Sequence, residues 1–401
     1  MLFPQFSSSL PTFFISASPA GHQCNCICEY CFSNQKGNLN PVETFRMSDE
    51  ILESYIQQSI ETQRVPRISF NWQGGEPTLM GLDFFRIATA VQRKFARPGM
   101  IIENTIQTNG ILIDEKWCEF FREHGFFVNL SFDGPKYLHD IFRKDKNGNS
   151  TFEKVLNASR LLQRFRVDFG VVCKVNRVNS MFPLEVYQFF HDELKAHFVK
   201  FVPVVESINF NDNFGNRVTE YSVQPDQYGR FLIAVFDEWI RNDVGHVSVE
   251  IFDAILTSYI SGAANICRLQ SKCERGILLD YNGDLYCCNQ YVEQNFFLGN
   301  ILRKPLEKLL SSEKQKKFCT EKNDSLPIIC KECEFLFTCF GECPKTRFLP
   351  SSDESGKLSW LCSGLKTFYI HSRSAMKQMV NLHKRDLPLE RVIKMQVSNT
   401  L

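Results

Sequence analysis

The chain has 401 residues, of which 43% are hydrophobic and 23% are charged. This composition supports a sizeable core and excludes global disorder, and the length predicts two domains or one large domain with an appendage. Lys and Arg total 46 against 45 for Asp and Glu, so the net charge of +1 gives no electrostatic case for nucleic acid or an anionic membrane. We therefore expect neither as a partner.

The N-terminal segment Met1–Ser9 lacks the basic start and the apolar core of a signal peptide, and no stretch of the chain is long and apolar enough to span a bilayer. We interpret the apolar segment Leu10–Ser18 as a buried first strand and expect a cytoplasmic protein. Disulfides are then not expected to explain the sixteen cysteines, because a reducing cytoplasm disfavours them. Many cysteines in such a compartment favour metal sites.

The chain up to about residue 240 alternates between strand-like and helix-like segments. Apolar runs typical of strands occur at Thr12–Ala17, Arg67–Trp72, Ile101–Gln107, Phe127–Ser131, Asp168–Val175 and His197–Val204. Segments with helical apolar spacing lie between them at Asp49–Gln63, Leu82–Phe95, Asp114–His124, Thr151–Phe165 and Leu184–Leu194. Strands that alternate with helices in this way predict parallel β/α units.

The rest of the chain has shorter elements and most of the cysteines. We interpret the Asn-rich segment Asn209–Val223 as a loop that precedes an amphipathic helix, Pro225–Arg241. Asn282-Gly283-Asp284 indicates a hairpin turn between the strands Leu278–Tyr281 and Leu285–Cys287. Short elements of this kind are often held by metal. The segment after Met376 is expected to be helical.

The first candidate metal site has the spacing Cys24-x3-Cys28-x2-Cys31. Three thiolates at this spacing can hold three irons of a [4Fe–4S] cluster and leave the fourth iron open to a ligand. The alternative is a zinc knuckle, for which His22 could supply the fourth ligand. Cys26 lies between the predicted ligands, and we interpret it as a side chain that occupies an apolar position without binding metal.

The second candidate site is Gly74-Gly75-Glu76-Pro77, directly after the predicted strand that ends at Trp72. Adjacent glycines allow the backbone to approach a ligand closely, and a carboxylate and free carbonyls can accept hydrogen bonds from an ammonium group. By itself this sequence is also an ordinary turn. Together with the upstream cysteines it becomes a strong signal.

The two motifs resemble those of the radical SAM (S-adenosylmethionine) superfamily, in which the three cysteines hold the cluster and the glycine motif receives the amino group of SAM. Four segments make the chain similar to the anaerobic sulfatase-maturating enzymes, over roughly residues 12 to 375: Cys24–Cys31, Trp72–Leu79, Gln107–Gly110 and Ser131–Pro135. The resemblance implies that Ser131 and Arg143 contact SAM and that Gln73 lies near the substrate. Without it, Ser131, Asp133 and Arg143 would be interpreted as a polar turn with a surface salt bridge.

The C-terminal cysteines form a third constellation, in which the run Cys330-x2-Cys333-x5-Cys339-x3-Cys343 is the most specific part. It resembles the SPASM module, which holds two further [4Fe–4S] clusters. The resemblance implies two ligand sets, Cys267, Cys273, Cys288 and Cys343 for the first auxiliary cluster, and Cys330, Cys333, Cys339 and Cys362 for the second. The alternative is two structural zinc sites with four cysteines each. Five cysteines then have no assigned ligand role: Cys26, Cys118, Cys173, Cys287 and Cys319.

The chain departs from the maturase pattern at two places. In that family an aspartate directly follows the third ligand of the first auxiliary cluster and is thought to take the proton of the substrate Ser or Cys, whereas this chain has Asn289. An amide cannot act as a carboxylate base. A tyrosine found in many members after the N-terminal triad is replaced by Phe32-Ser33.

Three functions therefore stay open. Another group or water could supply the base, with oxidation of a substrate Cys or Ser to formylglycine retained. Alternatively, the chain could be a ribosomal-peptide maturase that forms a carbon cross-link on a precursor peptide. A zinc-binding adaptor without activity is a third possibility, and it would be colourless, whereas an iron–sulfur protein is brown.

The resemblance implies an α/β fold: a partial (β/α)6 barrel as the radical SAM core, with a C-terminal cysteine-rich SPASM iron–sulfur module. We expect the core at residues 1–245, the SPASM domain at 246–375 and a helical tail at 376–401. The implied cofactors are S-adenosyl-L-methionine and three [4Fe–4S] clusters. The implied partners are a peptide or unfolded protein, either a sulfatase or a small precursor peptide, and a small electron-transfer protein such as a flavodoxin or ferredoxin.

Overall fold

The computed structural model of the protein describes residues 13–31, 45–208 and 218–393. Thr12 of the first predicted strand, Phe32 and Ser33, and residues 209–217 of the predicted loop lie outside these ranges, as does the end of the tail beyond residue 393. Within the described ranges the chain is an α/β protein, as predicted.

The strands are numbered in chain order. They are β1 Ile15–Ser18, β2 Cys26–Cys28, β3 Arg67–Trp72, β4 Ile101–Thr108, β5 Phe126–Ser131, β6 Arg143–Asp145, β7 Phe169–Val175, β8 Phe198–Pro203, β9 Ser248–Val249, β10 Ile277–Asp280, β11 Asp284–Tyr286, β12 Phe297–Asn300, β13 Arg347–Pro350 and β14 Lys357–Ser359. All six predicted strands of the core are found, as β1, β3, β4, β5, β7 and β8.

The helices are numbered in the same way. They are α1 Asp49–Thr62, α2 Leu82–Phe95, α3 Glu115–Glu123, α4 Lys136–Phe142, α5 Phe152–Arg164, α6 Pro183–Gln188, α7 Pro225–Asn242, α8 Glu250–Ser261, α9 Leu306–Leu310, α10 Glu313–Asp324, α11 Ile328–Lys331, α12 Leu336–Cys339 and α13 Cys362–Lys384. Among the parts of the chain that the structure describes, no helix has both the length and the apolar character that a membrane crossing requires.

The chain divides into two compact units. The first comprises the described part of Met1–Ser131, together with Asp140–Phe169 and Glu274–Cys319. The second comprises Phe132–His139, Gly170–Cys273 and the described part of Thr320–Leu401. The domain boundaries at residues 245 and 375 stay a prediction.

The first unit contains a parallel sheet in which β1, β3, β4 and β5 are successive neighbours. On one face Ile68, Phe70 and Trp72 of β3 are buried, and Trp72 packs edge to face against Phe85 of α2. Because the strands are parallel, their carboxyl ends meet at one edge, where parallel sheets commonly place their chemistry. The predicted motifs follow β1 and β3 at this edge.

A parallel pairing joins distant parts of the sequence in the same unit. β1 pairs with β10, with Ile15 opposite Ile277, and β10 continues through antiparallel β11 and β12. The β10–β11 turn is the hairpin predicted at Asn282-Gly283-Asp284. The second unit contains the parallel strands β7, β8 and β9 and the separate antiparallel pair β13–β14.

Three helical predictions need correction. The predicted helix Leu184–Leu194 is α6 followed by a π-helical turn, Phe189–Glu193, in which the Leu194 N–H donates to the Phe189 carbonyl. The segment after Met376 is helical up to Lys384, as predicted, but its helix begins earlier, at Cys362. The chain beyond Gly245 was expected to hold only short elements, but the twelve-residue helix α8 lies there. Its apolar residues face the core on most sides, which weakens the helical periodicity that a sequence pattern detects.

Helices α7 and α13 of the second unit cross with very little space between their backbones. A Cβ atom on Gly364 of α13 would lie 1.7 Å from the carbonyl oxygen of Pro225, and a Cβ atom on Gly229 of α7 would lie 2.6 Å from the carbonyl oxygen of Gly364. Only glycine fits at this crossing. The crossing therefore helps to fix the start of α13, where Cys362 is a predicted cluster ligand.

Replacing Gly364 by alanine should lower the thermal unfolding midpoint of the protein. The added methyl group overlaps the Pro225 carbonyl, and overpacking of this kind costs about 1–3 kcal/mol. Anaerobic scanning calorimetry measures the midpoint. Ser363→Ala, at an exposed neighbouring position on α13, is the matched control and should leave it unchanged. Equal midpoints for G364A and S363A would contradict the close crossing.

Candidate active site

The loops that follow β1 and β3 are joined by backbone hydrogen bonds at the carboxyl edge of the first unit's sheet. The Gln73 N–H donates to the Ala17 carbonyl at 2.9 Å, and the Glu76 N–H donates to the Gln23 carbonyl at 2.7 Å. The glycine motif thus lies directly against the segment that carries the cysteine triad. The structure brings together the first two motifs that the sequence singled out.

Gly74 and Gly75 are required by this close approach. Their φ angles are +87° and +46°, and added Cβ atoms would lie 2.1 Å from Ser18 Oγ and from the Gln23 carbonyl oxygen, respectively. A side chain is excluded at both positions. Both glycines are half-buried, so their backbone is open to a small ligand. This cradle fits the predicted role of receiving the polar end of SAM.

Glu76 is 1% exposed and its carboxylate is surrounded by protein donors. Oε1 accepts from the Thr78 hydroxyl at 2.6 Å, the Thr78 N–H at 3.0 Å and the Thr108 hydroxyl at 2.7 Å. Oε2 accepts from the Asn109 N–H at 2.7 Å. Burial raises the pKa of Glu76, and these hydrogen bonds act in the opposite direction. The side chain therefore holds the loop after β3 against the end of β4.

The cysteine loop has a short strand and a turn. The Cys26 N–H donates to Cys24 Sγ at 3.4 Å, and the Cys31 N–H donates to the Cys28 carbonyl at 2.9 Å. In the antiparallel β2–β6 pair, Cys28 lies opposite Arg143. The Arg143 guanidinium also lies 5.6 Å from the centre of the Tyr30 ring. Arg143, a predicted SAM contact, is therefore placed beside the triad.

The thiols in this loop differ in how readily they ionise. A side-chain hydrogen bond between the thiols of Cys26 and Cys24 lowers the pKa of Cys24. The same hydrogen bond and burial raise the pKa of Cys26, which is 4% exposed. A thiolate is the form that binds metal. The lowered pKa thus favours Cys24 as a ligand, whereas the buried Cys26 is the harder of the two thiols to ionise.

The remaining N-terminal candidates occupy less informative positions. His22, the alternative zinc ligand, packs against Phe45 with ring centroids 4.1 Å apart. Ser131 is the last residue of β5 and is buried, and Gln73 follows β3 and is half-buried. In the second unit, Asp133 accepts a hydrogen bond from the Lys174 N–H at 2.9 Å, which indicates a structural role for this carboxylate.

Four predicted ligands lie close together in the second unit: Cys330, Cys333, Cys339 and Cys362. Burial raises the pKa of Cys330 to about 11, and charges on Cys362 and Cys333 raise it further. Burial likewise raises the pKa of Cys339 to about 12, with added contributions from Cys362 and Cys330. These mutual interactions show that the four thiols lie near one another, and a group of free thiols of this kind fits a metal site.

Three predicted ligands of the other auxiliary site also lie in the second unit, around a buried lysine. A hydrogen bond with Cys267 raises the pKa of Cys273, and burial raises that of Cys343 to about 11. Lys322 is 1% exposed, and its Nζ donates to the carbonyls of Cys267 at 3.1 Å and Arg268 at 2.8 Å. A buried ammonium group is stable only near negative charge or strong acceptors, and bound thiolates would supply that charge.

Cys288, the fourth predicted ligand of that set, lies in the first unit. Its Sγ accepts a hydrogen bond from the Gln290 N–H at 3.4 Å. Its neighbour Cys287 is 1% exposed, and burial raises the pKa of that thiol to about 11. Both adjacent cysteines are buried, and the family resemblance implies Cys288 as the ligand.

All sixteen cysteines lie within the described residues, and none of them forms a disulfide. Over residues 13–31, 45–208 and 218–393, no three His, Cys, Asp or Glu side chains converge closely enough to hold a single metal ion. The fit to iron–sulfur clusters rests on the grouped free thiols and on the glycine cradle beside Cys24.

Two residues of this region were not identified from the sequence. Asn109 follows β4 and contacts both Glu76 and Cys24. The motif Gln107–Gly110 contains Asn109, but the residue types of this motif alone did not predict a function for it. No sequence feature predicted that Lys322 is buried, because a lysine on a Lys-rich helix is usually part of a solvent-exposed face.

Two protein-family models match the chain. Residues 18–178 match the radical SAM superfamily, and residues 267–334 match SPASM, described as an iron–sulfur cluster-binding domain. The first match includes the cysteine triad and the glycine motif. The second includes the predicted auxiliary ligands from Cys267 to Cys333.

Characterised relatives align over most of the chain. The serine-type anaerobic sulfatase-maturating enzyme of Bacteroides thetaiotaomicron is 39% identical over 371 residues, which cover 89% of each chain. The cysteine-type anaerobic sulfatase-maturating enzyme of Clostridium perfringens is 31% identical and covers 93% of this chain and 99% of its own length. The structure of native anSMEcpe with bound AdoMet and Cp18Cys peptide has a TM-score of 0.83 at 30% identity, over 92% of this chain and 99% of that chain.

Replacing Lys322 by methionine should reduce the iron that the purified protein retains. The substitution keeps a long apolar side chain but removes the positive charge beside Cys267, Cys273 and Cys343. Anaerobic iron and sulfide analysis measures the loss, which should amount to one cluster. Lys331→Met, at an exposed position beside Cys330, is the control and should retain full iron. Equal iron contents in both variants would show that Lys322 has no part in metal retention.

Proposed function

The chain belongs to the anaerobic sulfatase-maturating enzyme family, and from that premise we propose that it oxidises the β-carbon of a Cys or Ser residue in a sulfatase to formylglycine. The prediction of a radical SAM enzyme with a SPASM domain is confirmed. The enzyme uses SAM and a [4Fe–4S] cluster, and its SPASM domain binds additional iron–sulfur clusters. The 39% identity over 89% of both chains is the observation that carries the proposal.

We assign the cluster ligands as the sequence resemblance implies. The radical SAM cluster would be held by Cys24, Cys28 and Cys31. The auxiliary clusters would be held by Cys267, Cys273, Cys288 and Cys343 and by Cys330, Cys333, Cys339 and Cys362. The grouped free thiols and the depressed pKa of Cys24 support this assignment, and three [4Fe–4S] clusters would account for eleven of the sixteen cysteines.

The SAM site would lie at the carboxyl edge of β1, β3, β4 and β5. Gly74 and Gly75 offer an open backbone, while Glu76 keeps their loop in place. Ser131 at the end of β5 and Arg143 opposite Cys28 would complete the contacts to SAM. Gln73, the half-buried residue after β3, would face the substrate.

The bound cluster and SAM together supply a 5′-deoxyadenosyl radical, which removes a hydrogen atom from carbon. Oxidation of the substrate to the aldehyde level also requires the loss of one proton and one further electron. The protein must therefore provide a proton acceptor near the substrate heteroatom. A small electron-transfer protein, of the flavodoxin or ferredoxin class, would supply the electron that the first cluster needs for SAM cleavage, and an auxiliary cluster would accept the electron that the substrate loses.

Asn289 is unsuited to be that proton acceptor. Its Oδ1 accepts a hydrogen bond from Gln290 Nε2 at 3.2 Å, and its backbone N–H donates to the Gly276 carbonyl at 2.6 Å. A neutral amide oxygen that already has a donor has no useful basicity. We therefore propose that water or another side chain takes the substrate proton.

The same residue motivates a second candidate function. A ribosomal-peptide maturase that forms a carbon cross-link would use the same hydrogen abstraction without the maturase aspartate. Its substrate would be a small precursor peptide instead of a sulfatase segment. In either case the partner would be a peptide or an unfolded protein, and the expected location is the cytoplasm.

The decisive assay uses anaerobically reconstituted protein with SAM, a reductant and sulfatase-type peptides that carry Cys or Ser. We expect release of 5′-deoxyadenosine together with the mass change of an aldehyde on the peptide. Deoxyadenosine without any change in either peptide would contradict formylglycine formation. It would direct the search to small precursor peptides.

Asn289→Asp adds the carboxylate that the family uses at this position. We expect this variant to form aldehyde at least as fast as the parent, with a gain of up to about 10²-fold if proton removal limits the rate. Asn282→Asp, an exposed substitution of the same kind in the β10–β11 turn, is the charge-matched control. Slower aldehyde formation in N289D than in N282D would contradict a deficit of base at residue 289.

A further inference from the structure

The motif Gln107–Gly110 helped to identify the family, but the proposed function assigns no role to its residues. It includes the end of β4, where Thr108 is the last strand residue and Asn109 begins the loop. The hydroxyl of Thr108 and the backbone N–H of Asn109 both donate to Glu76 at 2.7 Å. The backbone of the motif therefore belongs to the network that holds the glycine loop.

The side chain of Asn109 points to the cysteine loop instead. Its Nδ2 donates to Asn25 Oδ1 at 2.7 Å and lies 3.6 Å from Cys24 Sγ. Its Oδ1 accepts from the Ile111 N–H at 3.0 Å. Because the oxygen has this backbone donor, the amide has one favourable orientation, with its NH2 group toward Cys24.

Asn109 thus links the two motifs through different atoms. The backbone N–H serves Glu76, and the side-chain NH2 group serves Cys24 and its neighbour Asn25. We propose that Asn109 is a positioning residue that sets the environment of the Cys24 sulfur and couples it to the glycine motif. The proposal rests on the ligand role of Cys24 and does not depend on which peptide is modified.

A hydrogen bond to a cluster sulfur stabilises the reduced, more negative cluster and so raises its reduction potential. Cys24 Sγ has two nitrogen donors in the described structure, the Cys26 N–H and the Asn109 NH2 group. Removing the side-chain donor should lower the potential of this cluster. The backbone N–H of residue 109 remains, so Glu76 should keep its hydrogen bond.

Asn109→Ser is the variant that separates these roles. A serine hydroxyl can still accept from the Ile111 N–H, as Asn109 does, but it is too short to reach Cys24. Asn109→Asp is the second variant, because it keeps the size of the side chain and replaces the donor by a negative charge. Asn104→Ser is the matched control on β4, since the Asn104 side chain bonds to Trp72 and Gln92.

The measurement is an anaerobic redox titration followed by electron paramagnetic resonance. The signal that changes on addition of SAM identifies the cluster with the open iron and separates it from the auxiliary clusters. We expect a more negative midpoint potential in N109S and a still more negative one in N109D. A tenfold loss in the reduction equilibrium corresponds to a shift of about 59 mV for one electron. The dissociation constant for SAM should change by less than the reduction equilibrium does.

Two results would overturn the inference. One is a midpoint potential in N109S equal to that of the parent, and the other is the same shift in N104S, which would indicate a general structural effect. Because no peptide is needed, a parent protein that gives a SAM-responsive signal but no aldehyde would contradict the proposed reaction alone. A parent without any SAM-responsive signal would overturn the ligand role of Cys24 and this inference together.

Discussion

The carboxylate of Glu76 is the constraint on which the site depends. It is buried and accepts hydrogen bonds from Thr78, Thr108 and Asn109, while its own N–H bonds to Gln23 of the cysteine loop. An unpaired carboxylate in this position would cost several kcal/mol, so the donors and the carboxylate require one another. Three loops from three parallel strands are thereby held in one arrangement by hydrogen bonds within the protein, and a site held in this way needs little reorganisation during the reaction.

Much of the fold could be predicted from the sequence because its signals are local. The buried strands of the core are short apolar runs, and helices such as α1 begin with a clear cap at Ser48. The parallel pairing of β1 with β10 could not be predicted, because it joins residues far apart in the chain and leaves no local pattern. The early start of α13 was missed for a different reason: its first residue, Cys362, was interpreted only as a ligand.

The candidate site shows the same division. Residue types and spacing were sufficient to single out Cys24, the glycine motif and the C-terminal cysteines as candidates. The structural role of Glu76 could not be predicted from the sequence, because its hydrogen-bond donors come from segments that only the fold brings together. The burial of Lys322 also could not be predicted, because the sequence pattern of its helix favours solvent exposure. Asn289 is the opposite case, because the sequence alone was sufficient to identify this departure from the family pattern.

Glu76→Gln tests most directly whether Glu76 holds the loop that we propose receives SAM. Glutamine has one acceptor oxygen where the carboxylate has two, and its NH2 group would face donors at Thr78, Thr108 or Asn109. The affinity for SAM should be measured by anaerobic binding titration, with iron content as the control. We expect SAM binding to weaken by about tenfold or more, with iron retained. Unchanged affinity would contradict this role of Glu76.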